Sequence, residues 1–259
     1  MADRPEMATT ATPALSRRHV LRWLGAGGLA AFVTACAKGT GPGPVALPGA
    51  SSTTTTSAFS GTTPAAPAGT VSCVLTPEQT EGPYYLSGEA VRRDITEGTP
   101  GTPLRLALTV VDAGACTPVP DAVVEVWHAD ASGNYSGFGS SRVESSSSRT
   151  FLRGAQVTDG HGYAEFVTIY PGWYQGRTTH IHLKVHAGGK AVHTGQLYFD
   201  EAITDAVYAT SPYRGHTRRR TRNAADGIYR NGGAQSMLAL SRDGAGSGYV
   251  GAITLGVRT

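Results

Sequence analysis

His180-Ile181-His182 is the first place in this chain where residue types and spacing suggest chemistry. On an extended strand, residues i and i+2 point to the same side, so both imidazoles face one way. Ile181, Leu183 and Val185 then face the other way, as core residues would. Two imidazoles on one face suit a metal ion, because neutral imidazole is the commonest protein metal ligand. A solvated polar face is the commoner explanation of such a pair alone, and Lys184 and His186 share that side. Neighbouring segments add polar and aromatic groups. Pro171-Gly172-Trp173-Tyr174 and Arg177 come directly before the pair, Gly133-Asn134-Tyr135 follows a turn cluster, and Gln196-Leu197-Tyr198-Phe199 follows the histidine strand.

The elements that must position these residues read as strands. Residues 104–111 alternate apolar and polar and then turn apolar, and residues 122–127 are β-branched and end at Asp130-Ala131-Ser132-Gly133. Residues 151–157, 163–169, 179–185, 191–199 and 248–255 follow the same pattern, with Asp159-Gly160 and Gly188-Gly189 as turns between them. Residues 200–209 suit one short helix. Seven or more short strands at this spacing predict an all-β fold, a β-sandwich with few short helices and long loops. The chain has 259 residues, 34 of them Gly and 15 Pro, and a formal charge of +3. That balance excludes a general nucleic-acid binder, which needs a strong basic excess. No apolar run reaches the length of roughly 18 residues that a membrane-spanning helix requires.

Taken together, these segments resemble the intradiol ring-cleavage dioxygenases, non-haem Fe(III) enzymes that open catechols between the two hydroxylated carbons. The resemblance begins at Thr76-Pro77-Glu78-Gln79-Thr80-Glu81-Gly82-Pro83-Tyr84-Tyr85 and continues through Glu125-Val126-Trp127-His128 to Tyr135. It then runs through residues 171–182 and 196–199, covering about residues 73–230. It implies that Tyr135, Tyr174, His180 and His182 hold Fe(3+). It also implies that Arg177 stabilises carbanion charge on the substrate and that Gln196 supports it. Thr80, Gly82, Pro83 and Tyr84 match the segment that lines the substrate pocket. Tyr174 matches the ligand that leaves and takes up substrate protons, whereas Tyr135 matches the one that stays. The gap from Tyr174 to His180 is six residues, shorter than in the protocatechuate enzymes, which implies a smaller rim. Phenolate is a hard ligand for a hard cation, and a bound metal ion forces such a ligand to deprotonate. The implied partners are a catechol-type substrate and O2, and the implied product is a muconate-type diacid.

Each residue also has a plainer reading. Tyr163, Tyr170 and Tyr198 suit buried core positions, and His128 suits an outward turn at the surface or a supporting role. His161, His186, His193 and His216 read as solvated, and Arg177 as a surface salt bridge. Arg214, Arg218, Arg219, Arg220 and Arg222 form a basic run, most simply a solvated loop, otherwise a contact for an anionic polymer or lipid headgroup.

The front of the chain reads as an address. Ser16-Arg17-Arg18 precedes a short apolar stretch, as in a twin-arginine export signal, and Val33-Thr34-Ala35-Cys36 resembles a lipobox. The predicted organisation is therefore a signal over residues 1–36, with lipidation and membrane anchoring at Cys36, the alternative being an ordinary cleavage site ending at Ala35 with Cys36 incidental. A Gly/Pro/Ala/Ser/Thr tether follows over 37–70, and the β-sandwich domain occupies 71–259. A flexible tether of that length reaches about 30 Å. The expected location is extracytoplasmic. Cys73 and Cys116 would then sit in an oxidising compartment, where a disulfide is expected, two buried thiols being the alternative. A function of another class is a tethered β-sandwich binding module without catalysis. A third reading keeps the two histidines with a carboxylate and Fe(II), but no Asp or Glu stands in a comparable motif. The sequence leaves the oligomeric state open.

Overall fold

The computed structural model describes residues 73–138 and 149–259, all within the unit Pro64–Thr259. The export signal, Cys36 and the tether lie outside the described residues.

Two four-stranded sheets face each other. One contains β1 (Pro103–Asp112), β4 (Tyr163–Ile169), β7 (Ala239–Arg242) and β8 (Tyr249–Val257), in the order β4-β1-β8-β7. The other contains β2 (Val123–Trp127), β3 (Arg153–Val157), β5 (His180–Ala187) and β6 (Lys190–Tyr198), in the order β3-β2-β5-β6. All neighbours are antiparallel except β1 and β8, which run parallel at the centre of their sheet. The period-two alternation of β1 drives this packing. Leu104, Leu106, Leu108 and Val110 point inward and are buried, while the residues between them are partly exposed. They meet Phe166 of β4, Val124 and Val126 of β2, and Ile181, Leu183 and Val185 of β5. Each such side chain, fully buried, contributes about 1.5–3 kcal/mol.

One α-helix, α1 (Glu201–Tyr208), follows β6. Asp200 starts it by accepting hydrogen bonds from the Ala202 and Ile203 N–H groups at 2.9 and 3.0 Å, a cap worth about 1 kcal/mol. Cys73 and Cys116 form a disulfide with Cα atoms 5.2 Å apart. The segment after Cys73 lies along β8, where the Thr76 N–H donates to the Gly256 carbonyl at 2.9 Å.

Strand register decides where the site is. His182 pairs with Trp127 on one side and Gln196 on the other, and His180 pairs with Tyr198. These five residues share the face of the second sheet that points away from the sandwich core. That face is not solvated, because residues 79–86, 128–138 and 171–178 cover it. His180 and His182 are buried. Lys184 pairs with Glu81 over the Tyr85 ring, and His186 Nε2 lies 3.2 Å from Glu125 Oε2.

Several individual readings are corrected. His193 is buried rather than solvated, because register puts it opposite Val185 on the core side. His128 is buried, not on an outward turn. Its Nδ1–H donates to the Ala129 carbonyl at 2.9 Å, and its Nε2 accepts from Thr168 Oγ1 at 2.7 Å. Tyr163 is only half-buried, its hydroxyl donating to Glu165 at 2.6 Å. Within the basic run, Arg220 and Arg222 are neutralised by Glu201 and Asp205. The strand expected from residue 151 starts at Arg153, after Leu152 adopts a positive φ of 58°.

Candidate active site

Tyr135 reaches the site from the loop after β2. Asp130 folds that loop, its Oδ1 accepting from the Ser132 and Asn134 N–H groups at 2.8 and 2.9 Å. Gly133 is required there. Its φ is +84°, and a Cβ would lie 2.1 Å from the Trp173 carbonyl oxygen. Buried Arg153 fixes the far side, donating from Nε and Nη2 to the Ser136 carbonyl at 3.1 and 2.9 Å. The Tyr135 ring then stacks on Tyr84, with centroids 4.2 Å apart.

Tyr174 comes from the loop before β5, which turns back through an Arg177 N–H to Tyr174 carbonyl bond of 3.2 Å. Its ring lies 5.9 Å from Tyr135 and 5.7 Å from His180. His180 Nε2 and His182 Nε2 are 3.1 Å apart, and Tyr135 Oη is 3.4 Å from His180 Nε2. The two tyrosines and two histidines singled out in the sequence are thus brought together. Two donors, each about 2.1 Å from one ion at right angles, lie about 3 Å apart. The observed separations therefore match neighbouring donors around a shared centre.

Protonation states support this. Burial pushes His180 down to about 3 and His182 well below the usual imidazole value, so both are neutral at pH 7. His180 Nδ1–H donates to the Thr178 carbonyl at 2.6 Å, which leaves its Nε2 lone pair free for a ligand. Burial also holds Tyr135 well above the usual phenol value, and only a cation nearby would reverse that. His182 Nδ1 is buried without a hydrogen-bond partner. Its ring lies parallel to Trp127 at 5.0 Å. Gly82, at φ +75°, approaches so closely that a Cβ would sit 2.9 Å from His182 Cε1. Among the described residues, no group of three or more His, Cys, Asp or Glu gathers to hold a metal.

Arg177 uses its whole fork. Nε donates to Asp226 at 2.9 Å, Nη1 lies 3.4 Å from Tyr174 Oη, and Nη2 donates to Gln196 Oε1. Burial alone would lower its pKa, but Tyr174 and Asp226 raise it. Gln196 is held in turn, its Nε2 donating to the Thr80 carbonyl at 2.9 Å. Thr80, Gly82 and Tyr84 lie against Gln196, His182 and Tyr135, and Pro83 lies between two of them in sequence.

Asp226, Arg153, Trp127 and Tyr198 were not singled out as site residues. Asp226 is separated from Arg177 by 49 positions, and no local pattern marks it. Burial opposes its carboxylate, yet the Thr178 N–H and Arg177 hold it below the usual carboxylate range.

His128, buried behind the site, gives a pH prediction. Burial lowers its pKa from 6.5 to about 4, so the unfolded state binds more protons between those values. Stability contributed above pH 6.5 is lost as pH falls toward 4, by an amount on the order of 3 kcal/mol. Urea midpoints of the iron-free His128→Gln protein should show a shallower decline over that window than the wild type. Equal slopes would place the acid sensitivity elsewhere.

The described residues contain no helix long and apolar enough to cross a membrane. The profile of the family described as Dioxygenase matches residues 80–226. Chlorocatechol 1,2-dioxygenase of Rhodococcus opacus is 29% identical over 150 residues, covering 51% of this chain and 56% of that protein. Catechol 1,2-dioxygenase of Acinetobacter baylyi is 32% identical over 175 residues, covering 53% and 55%. The chain spans about half the length of these curated relatives. An intradiol ring-cleavage dioxygenase from Tetranychus urticae superposes with a TM-score of 0.68 at 36% identity, over 72% of this chain and 95% of that one. The dioxygenase domain of a carbohydrate-binding fusion from Streptomyces sp. SirexAA-E gives 0.55 at 29% identity, over 72% and 99%. With its β-sandwich and a family profile that spans more than half its length, the chain belongs to the intradiol ring-cleavage dioxygenases.

Proposed function

We propose that this protein is an Fe(III) dioxygenase that cleaves a catechol-type ring between its hydroxylated carbons with O2, giving a muconate-type diacid. The convergence of His180 Nε2, His182 Nε2 and Tyr135 Oη within 3.1–3.4 Å carries this reading. Tyr135, Tyr174, His180 and His182 would hold the iron, the two tyrosines as phenolates that are hard anionic donors for a trivalent cation and the two histidines as neutral nitrogen donors. When bound, ferric iron would supply Lewis acidity that favours loss of both catechol protons, and the deprotonated ring is the electron-rich form that reacts with dioxygen.

The chain's own residues do the rest. Tyr174 is half-buried at the rim, so its Oη can turn away from the centre and take up a substrate proton. Arg177 keeps its positive charge beside that oxygen, where negative charge develops on the substrate. Gln196 holds the guanidinium against the sheet. The Gly82 backbone covers His182 and the Tyr84 ring covers Tyr135, so this segment walls one side of the site. The test is oxygen uptake by iron-loaded protein with catechol, matched mole for mole by appearance of the ring-opened diacid. Oxygen uptake with quinone as the product, or no uptake with any catechol, would overturn the proposal.

Export and anchoring belong to the same proposal. The twin arginines Arg17 and Arg18, the lipobox-like Cys36 and the tether over 37–70 support a folded domain held outside the cytoplasm. The Cys73–Cys116 disulfide suits an oxidising compartment. Membrane fractions should hold the wild type, and Cys36→Ala should release it to the soluble extracytoplasmic fraction. A soluble cytoplasmic wild type with an intact N-terminus would sink this part and leave the iron chemistry standing.

A further inference from the structure

We propose that Asp226 is a positioning residue for ring cleavage: it aims the Arg177 guanidinium at Tyr174. The inference rests on the role given to Arg177 above. Asp226 is 1% exposed, and both of its oxygens are used. Oδ2 accepts from Arg177 Nε at 2.9 Å and the Thr178 N–H at 2.8 Å. Oδ1 accepts from the Ile228 and Tyr229 N–H groups at 2.7 and 3.2 Å.

A guanidinium is a rigid planar fork, so fixing two corners fixes the direction of the third. Asp226 holds Nε and Gln196 holds Nη2, which leaves Nη1 facing Tyr174 Oη. Without Asp226 the fork would lose its anchor at Nε and could pivot on its contacts at the Nη end, to Gln196 and Tyr174. The loop that carries Asp226 is itself fixed. Asn223 Nδ2 donates to the Phe199 carbonyl at 3.0 Å, and Asn223 Oδ1 accepts from Thr178 Oγ1. The Asn223 N–H donates to Glu201, the carboxylate that also binds Arg220 and Arg222. Arg220 and Arg222 of the basic run thus brace this loop against α1 and, through Asp226, the arginine at the rim.

A purely structural Asp226 would serve only the turn at 226–229. Asp226→Asn separates the two roles, because Oδ1 keeps the turn while the new amide N–H group faces the Arg177 and Thr178 donors. In iron-free wild type, the Arg177 Nε–H signal in nitrogen–proton spectra is identified by its loss in Arg177→Ala. It should exchange slowly with solvent, and Asp226→Asn should make that exchange fast. In the iron-loaded protein, Asp226→Asn should lower kcat at least tenfold with KM for catechol changed less than threefold. Adding Arg177→Ala should then cost less than it does in the wild type. Wild-type kcat in Asp226→Asn, or unchanged Nε–H exchange, would overturn the proposal. If Asp226→Asn fails to fold, the wild-type exchange decides: a protected Nε–H upholds the contact, and one as exposed as a free arginine overturns it. If the wild type cleaves no catechol, the proposed function fails, while the exchange measurement still decides whether Asp226 fixes Arg177.

Discussion

Tyr135→Phe is expected to weaken and shift the visible absorption of the iron-loaded protein, since Tyr174 remains as a phenolate ligand, and to cut turnover by more than about a hundredfold, while the iron-free fold survives. The ring keeps its stacking on Tyr84, since only the hydroxyl is lost. That hydroxyl is buried near His180 Nε2 at 3.4 Å, and removing one such group typically changes stability by about 1 kcal/mol. The iron-bound state loses far more, because an anionic ligand disappears, and even supporting partners of metal ligands are worth 10–100-fold in affinity (an order-of-magnitude figure). Burial keeps the Tyr135 phenol protonated in the iron-free protein. Iron binding must therefore expel that proton, so wild-type affinity should rise with pH, and the Phe variant should show a weaker rise. The rise in Tm on adding iron should shrink in the variant. Full iron occupancy with an unchanged spectrum in Tyr135→Phe would remove Tyr135 from the ligand set.

Arg177→Ala should retain iron and lose most of its turnover. Arg177 contacts Tyr174 Oη at 3.4 Å and is not itself one of the four donors, so the donor set stays complete. One preorganised charge beside the reacting centre is worth roughly 3 kcal/mol in the transition state, about a hundredfold in kcat. The change also leaves Asp226 buried without its cation, so some loss of thermal stability should accompany it. Wild-type kcat at saturating catechol would show that the arginine acts only as a structural brace.

The parts legible in the sequence are those with a period. Alternation placed β1, β2, β4 and β5 within a residue or two, because one face of each is apolar. β7 escaped: four residues, mostly exposed, carry no pattern beyond their own length. The His-x-His spacing gave the direction of both imidazoles but not their surroundings, since an outward face looks solvated until something covers it. The cover is made of loops, whose path depends on contacts such as Gly82 against His182 and Gly133 against Trp173. Tyr135, Tyr174, Arg177 and Gln196 became recognisable only through the order of several motifs together. Asp226 and Arg153 act across 49 and 17 positions, and single charged residues at such distances leave no trace in local composition. His193 shows the same limit in reverse, a polar type buried because strand register put it on the core side.

The parallel contact between β1 and β8 sets the order in which the molecule can be completed. Leu104 aligns with Tyr249, so the middle of the first sheet stays open until almost the whole domain has been synthesised. Until then β1 offers an unpaired edge, a template for wrong partners, and such distant pairing is slow to form. The substrate wall inherits this delay. Thr76 exchanges hydrogen bonds with Gly256 of β8, and the chain from Thr76 leads directly to Thr80, Gly82 and Tyr84. The wall over His182 therefore docks only after the C-terminal strand has arrived. Nascent or truncated chains should expose their histidines to free metal before a closed site exists, and the completed active site should be among the last features to form during refolding.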